Sequence, residues 1–454
     1  MTPPRAARPG PASRALAARG ARREPAPLLG IMDGTPPIAW ARARGAVVED
    51  VDGNRYLDLT GGFGADLVGH ANPRVVAAVR RAAGRLLHGL ADAAPHPERV
   101  RLAEELAARG PFRGGMVHFA SSGAEAVDIA LKTASLVTGR PGVVAFDDGY
   151  HGTSLGALRG TGRAAFREPF KALLAPTTLR VPFADCFRCP YRLTWPASGL
   201  ACLAAALAEI DAWNADSARP PLGAWIVEPV IGREGLIVPP PGFLAALGRA
   251  ARARGLLVIA DEILTGGGRT GRWWASGPLK PDLVIVGKGI AGGMPLAAVL
   301  GPRRVLRIWN RPGEALHTTT HLAHPLAVAG ARAALAEIAR RDLPGRALAI
   351  GRRLAAGLSR LQQRHTALGD VRGVGAMWGL DLVTDRASRA PDPATAAAVA
   401  RGLAARGCLA LAAGRHGNVI ALTPPLTISR RQLDAALAAL DGALSQLDHG
   451  PGRR

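Results

Sequence analysis

Three short, nearly all-apolar runs in this chain end on residues that can hold or move a proton. GAWIVE (223–228) closes on Glu228, LLVIAD (256–261) closes on Asp261 with Glu262 next, and LVIVG (283–287) leads straight into Lys288. Runs of this kind read as strands buried on both faces. Ligands of open α/β sheets bind beyond the carboxyl ends of such strands, so the three groups are expected to face one crevice. Each alone would read equally well as a strand end meeting solvent; three together shift the reading toward a site. The lysine adds weight. Only Lys132, Lys171, Lys280 and Lys288 interrupt an otherwise all-arginine basic set, and arginine can neither lose its proton nor form a Schiff base.

A lysine amine and an aspartate meeting in such a crevice fit pyridoxal 5'-phosphate (PLP). The amine forms an imine with the cofactor aldehyde, and the carboxylate keeps the pyridine nitrogen protonated so that the ring withdraws electrons. The same lysine is then the base that moves the proton. The phosphate needs a seat as well. Ser121-Ser122-Gly123-Ala124-Glu125 follows an apolar run and opens a helical pattern, so its free N–H groups suit an anion. The same residues would also serve as an ordinary N-cap.

The elements that must position these groups alternate from about residue 85 onward. Met116–Ala120 and Val143–Phe146 read as strands, with a helix over Ala124–Val137 between them. Leu296–Leu300 is a further buried strand. The expected fold is α/β: a large domain with a mostly parallel, helix-covered sheet, and a smaller α/β domain after it. The expected divisions are a mobile basic tail over 1–29, an N-terminal segment over 30–84 that packs with the small domain, the large domain over 85–335, and the small domain over 336–454. No internal repeat is present, which argues against a solenoid.

Composition excludes several other classes. Apolar residues make up 48% of the chain, which is globular rather than disordered. The 57 Lys+Arg against 35 Asp+Glu leave a net charge of +22. The basic residues are scattered, without the aromatic-interleaved strip that follows phosphates, so solvated surface is expected and no nucleic-acid partner. No uncharged apolar stretch reaches the roughly 18 residues of a membrane helix, and no secretory leader is evident. Four cysteines in so long a chain imply a reduced, cytoplasmic protein. Cys186, Cys189 and Cys202 have metal-like spacing, but a closed site normally takes four ligands and Cys408 is far away in sequence; free thiols and no metal are expected.

Asp52-Gly53-Asn54-Arg55-Tyr56-Leu57-Asp58-Leu59, Gly69-His70-Ala71-Asn72-Pro73, SSGAEA (121–126), Gly149-Tyr150-His151-Gly152 and Val227-Glu228-Pro229 follow one another along the chain. They are followed by LLVIADEILTGGGRTG (256–271), Gly287-Lys288-Gly289, His317-Thr318-Thr319-Thr320, Val371-Arg372-Gly373-Val374-Gly375 and Thr423-Pro424-Pro425-Leu426. This set resembles the class-III PLP-dependent aminotransferases, over nearly everything after the tail. The resemblance implies a fold-type I homodimer with its active sites at the subunit interface. It implies that Lys288 carries the cofactor and that Asp261 pairs with the pyridine nitrogen. Tyr150 would stack on the ring with Ile263 on the other face and His151 adjoining it. Ser122, Gly123 and Ala124 would hold the phosphate, joined by Thr320 from the partner subunit, and Glu228 would line the substrate side.

Departures from the pattern bear on substrate. Leu264 and His324 replace residues common in relatives, and Arg233 stands where ornithine-type enzymes have an acid. Ala421, three residues before the Pro-Pro pair, occupies the place of an arginine that clamps the α-carboxylate of amino-acid substrates. The nearest replacement is Arg415. The expectation is an aminotransferase between an amino donor and a ketone or aldehyde, one substrate lacking an α-carboxylate at the reacting carbon, a peptide-borne ketone of specialised metabolism being one version. Acetylornithine/ornithine- or 4-aminobutyrate-type transamination, and racemase, epimerase or aminomutase chemistry on the same scaffold, are the alternatives. A binding protein that has lost its chemistry would not need Lys288 and Asp261.

Overall fold

The computed structural model describes residues 9–29 and 37–448. At its centre is a seven-stranded sheet in the order Gly115–Ala120, Ala297–Pro302, Leu283–Val286, Leu257–Asp261, Leu222–Val227, Gly142–Phe146, Thr178–Val181. Ala297–Pro302 runs antiparallel to both neighbours, and the remaining pairings are parallel. Both faces are covered, and the side chains alternate between them. Val144, Phe146, Trp225 and Val227 enter a core with Phe183 and Phe243. Val143, Ala145, Ala224 and Ile226 enter the other, beneath the helix Gly123–Thr138. That helix turns Ala126, Ile129, Ala130 and Thr133 inward and ends at Gly139, whose φ of +67° suits a residue without a side chain.

A third core joins both ends of the chain. Arg55–Asp58 pairs in parallel with Cys408–Leu409, and Leu57, Leu59 and Leu67 pack with Leu380, Ile420 and Leu440. The antiparallel sheet Leu368–Val374, Met377–Leu382, Val419–Leu422, Leu411–Ala413 lies in this part. No chain break separates it from the large sheet. The helix Pro325–Arg340 runs through the division expected at 335/336, because Val328 and Leu335 belong to the large core while Ala334 and Ile338 belong to the third.

The tail departs from expectation. Residues 1–8 lie outside the described residues, but Pro11–Gly20 is a docked helix rather than a mobile segment. The Asp52 carboxylate accepts the N–H groups of Ala12 at 2.8 Å and Ser13 at 2.9 Å, and the Ser13 hydroxyl at 2.6 Å. A carboxylate at the first turn of a helix satisfies donors that have no intrahelical partner and complements the dipole. The alanine- and arginine-rich composition carries no sign of this distant cap.

Candidate active site

Three adjacent parallel strands deliver the groups named first. Val227 pairs with Ala260, and Asp261 pairs with Ile285, so Glu228 and Asp261 stand level on neighbouring strands, with Lys288 three residues beyond Ile285 on the next. Lys288 follows Gly287 into a short 3-10 turn and has φ +43°. A side-chain-bearing residue in the left-handed region costs roughly 1–3 kcal/mol, a strain typical of functional positions. Burial lowers the proton affinity of the amine, Arg233 and Arg269 add to this, and Asp261 and Glu228 oppose it. A larger neutral fraction makes the amine a better nucleophile and base.

Asp261 is buried and held on both oxygens. His151 Nδ1 lies 2.7 Å from Oδ2, and the Ile263 N–H donates to Oδ1 at 3.1 Å. His151 is itself buried, with its N–H donating to Thr161 Oγ1 at 3.0 Å. Burial disfavours its charged form, but the Asp261 hydrogen bond and the charges of Asp261 and Glu228 prevail and raise its pKa. Glu228 accepts N–H groups from Tyr150 at 2.8 Å and Gly232 at 3.0 Å. Burial and the charge of Asp261 nevertheless push its pKa up to about 7, against His151 and those two hydrogen bonds. Glu262 faces elsewhere, toward the Thr265 hydroxyl and the Ser276 N–H.

At the phosphate seat, Ser122 Oγ caps the helix by accepting the Glu125 N–H at 3.2 Å, and Glu125 Oε2 accepts the Ser121 N–H at 2.8 Å. The first helical N–H groups, on Gly123 and Ala124, remain for an anion. Gly123 lies close to Ile263: a Cβ there would come within 2.9 Å of Ile263 Cδ1. Thr319 Oγ1, not Thr320, lies 3.3 Å from Ser121 Oγ, while Thr320 is exposed. The Gly266–Gly271 run is a tight turn whose buried Arg269 donates to the carbonyls of Pro424 and Gly64.

These residues suit a phosphorylated pyridine aldehyde. A buried carboxylate fixed by His151 matches a protonated ring nitrogen, an amine of lowered proton affinity matches the aldehyde, and two free N–H groups match the phosphate. A family model for class-III aminotransferases matches residues 32–444. The chain belongs to the class-III aminotransferase family. The aminotransferase is 38% identical over 454 residues to a 4-aminobutyrate aminotransferase of Mycobacterium tuberculosis, covering 97% of each chain. It is 33% identical over 419 residues to an alanine/serine racemase of Pyrococcus horikoshii, covering 90% of this chain and 86% of the other. Among solved structures, a PLP-bound amine transaminase from an uncultivated Pseudomonas species superposes with a TM-score of 0.83 at 32% identity, covering 91% and 95%. The enzyme is PLP-dependent, and its fold is that of fold-type I.

Other expected site residues sit differently. Arg415 is committed to the loop before Tyr150: its guanidinium lies 2.7 Å from Asp148 Oδ1 and donates to the Asp147 carbonyl at 3.0 Å. Arg233, noted in the sequence only as a departure, has its guanidinium carbon 4.8 Å from the centre of the Tyr150 ring and 5.2 Å from that of Phe166. A second group was invisible in sequence. His88, His321 and His324 bring ligand-type atoms within 4.8 Å of one another, an arrangement that could hold a metal ion. His88 lies 233 residues before His321, so no spacing rule finds the set. Cys186, Cys189 and Cys202 are free thiols around one small cavity with Trp195 and Ser198.

Proposed function

We propose that this aminotransferase moves an amino group between an amino donor and a ketone or aldehyde, and that at least one of its substrates bears no carboxylate on the reacting carbon. A peptide-borne ketone is one acceptor of this class. The observation that carries the reading is the wall at Ala421. Ala421 pairs with Gly379 and lies in an apolar cluster with Val230, Leu236, Met377 and Leu264, and Arg372, in the same cross-strand row, is already committed to Asp370, Asp381 and the Gly235 carbonyl. Arg415, the nearest upstream replacement, is already paired with Asp148. Bound at Lys288, PLP supplies an electrophilic carbon and an electron sink. The chain's own residues do the rest: Lys288 Nζ takes and returns the substrate proton, His151 holds Asp261 in place, and Glu228 ties the Tyr150 backbone to the strand end.

The same reading assigns Asp261 to the pyridine nitrogen, Tyr150 and Ile263 to the two ring faces, and Ser122, Gly123 and Ala124 to the phosphate. It takes the active form to be a cytoplasmic homodimer in which Thr320 completes the neighbour's phosphate seat. Supporting this, Leu86, Leu87, Leu90 and Leu316 are exposed apolar side chains on the loops near Thr320, and surface of that kind marks an interface. The 38% identity to a 4-aminobutyrate aminotransferase favours, as a second reading, an amine carrying its carboxylate far from the reacting carbon.

A donor panel tests the proposal through spectral conversion of the PLP form to the pyridoxamine form. Primary amines without an α-carboxylate should convert the enzyme at least as fast as L-glutamate. Glutamate as the sole effective donor, with 2-oxo acids as the only effective acceptors, would refute the substrate assignment. A catalytically complete monomer would refute the shared site, and racemisation of an amino acid without keto product would replace transfer by isomerisation.

A further inference from the structure

Three arginines stand around the mouth of this cleft, and two of them are spent. Arg163 makes a two-pronged pair with Glu234, at 2.9 and 2.8 Å, and adds the Gly414 carbonyl at 2.9 Å. Arg415 is paired with Asp148 at 2.7 Å. Arg233 has only aromatic faces: its guanidinium rests against Tyr150 and Phe166, whose rings meet edge-on with centres 5.9 Å apart. Among the described residues, no carboxylate lies within ion-pair distance of it. The acids beside it in sequence are committed, Glu234 to Arg163 and Glu228 to the Tyr150 and Gly232 N–H groups.

Its placement is specific. From residue 222 to 237 every residue is buried except Arg233. The segment thus presents one exposed side chain, from a backbone buried on both sides. Gly232, immediately before it, packs closely: a Cβ there would lie 2.6 Å from Leu264 Cδ2 and 3.1 Å from Glu228 Oε2. The Arg233 carbonyl accepts the Gly414 N–H at 3.1 Å, tying the segment to the loop that also carries Arg415. Glu228, at the strand end, accepts the N–H groups of both Tyr150 and Gly232, which sets Arg233 against the Tyr150 ring beside the cofactor-binding groups. A guanidinium lying on aromatic rings keeps its planar fork of donors free for a carboxylate and is oriented in advance.

We propose that Arg233 is an anion-reading residue of the active site, which takes the carboxylate of whichever substrate carries one and leaves the apolar wall at Ala421 to the substrate that does not. This rests on the assignment of the cleft to amino transfer, and it deepens it: the two substrates differ in charge, and Arg233 distinguishes them. A carboxylate arriving there replaces water around the guanidinium with two parallel N–H···O bonds and meets no competing acid.

Matched donors test the proposal in the holoenzyme. L-Alanine against isopropylamine, and 4-aminobutyrate against 1-aminobutane, differ chiefly by a carboxylate in place of a methyl group. In Arg233→Gln the ratio of carboxylate to amine half-reaction efficiency should fall about 10–100-fold in at least one pair, the loss expected for a charge-assisted pair. Arg233→Lys should restore part of it, by charge without the fork. The dissociation constant of butyrate, read from the cofactor absorbance without turnover, should rise in Arg233→Gln by about the same factor. Ratios and butyrate affinity both within threefold of the parent would overturn the inference, as would equal loss for both members of each pair. If the parent converts no amine, the substrate reading fails, while the butyrate measurement still decides the role of Arg233.

Discussion

The carboxyl edge of the large sheet and the interior of the small antiparallel sheet both bury charge, but they arrange it in opposite ways. At the large sheet's edge, Glu228, Asp261 and Lys288 are delivered by consecutive strands in register, and the His151 side chain, from elsewhere in the chain, ties Asp261. In the small sheet, Asp381 is fully buried and gathers Arg188 at 2.5 and 2.7 Å, Arg372 at 3.1 Å and Asn418 at 2.7 Å. Arg188 arrives from 193 residues away, in the loop between Cys186 and Cys189. The second cluster satisfies every charge it buries. The first leaves a carboxyl and an amine with displaced proton affinities. Full compensation makes structure, and incomplete compensation makes chemistry.

The comparison predicts how each region breaks. Lys288→Ala or Lys288→Arg should lower turnover by about 10^4-fold or more, because neither alanine nor arginine can bond the cofactor aldehyde and move the proton. Borohydride reduction and peptide mapping should place the cofactor on Lys288 in the parent; a label on Lys132, Lys171 or Lys280 would refute the assignment. Asp261→Asn should slow the half-reaction by roughly 10^2–10^3-fold, since an amide holds a ring nitrogen proton poorly. Near-parental rates there would overturn the electron-sink role.

The small-sheet cluster should fail in stability instead. Asp381→Ala leaves Arg188 and Arg372 without their shared carboxylate, and the loss should be about 3 kcal/mol in urea unfolding, with half-reaction rates per folded molecule retained. A loss of rate with unchanged unfolding would reverse the contrast. The smallest effect concerns pH. Glu228 titrates near 7 when folded against an ordinary 4.5, so the folded state binds more protons than the unfolded one between these values. Stability of the cofactor-free enzyme should therefore fall as pH rises from about 4.5 to 7. His151, also raised, acts in the same direction above its ordinary value of 6.5. Glu228→Gln should flatten the slope by up to one proton's worth; an unaltered slope would show that Glu228 does not hold the extra proton.

What could be read from sequence was what a strand writes locally. A strand buried on both faces must be apolar along its length, so its first polar residue marks the edge where ligands bind; Glu228, Asp261 and Lys288 were legible for that reason. The all-arginine background sharpened the lysine. The helix Gly123–Thr138 showed itself through its 3.6-residue spacing. The docked helix Pro11–Gly20 did not, because its partner Asp52 lies some forty residues on and its own composition matches that of an unstructured tail.

Residue order along the chain therefore determined the strands, the helices and the chemical types at the strand ends, because each depends on near neighbours and on the period of burial. The tertiary structure alone decided which charges were free. Arg163, Arg233 and Arg415 are indistinguishable as letters. Folding brings Glu234 to the first and Asp148 to the third, and lays the second against Tyr150 and Phe166. Whether a guanidinium is a strut or a receptor depends on what stands within about 4 Å of it, a distance at which the Coulomb term is largest and which no spacing along the chain encodes.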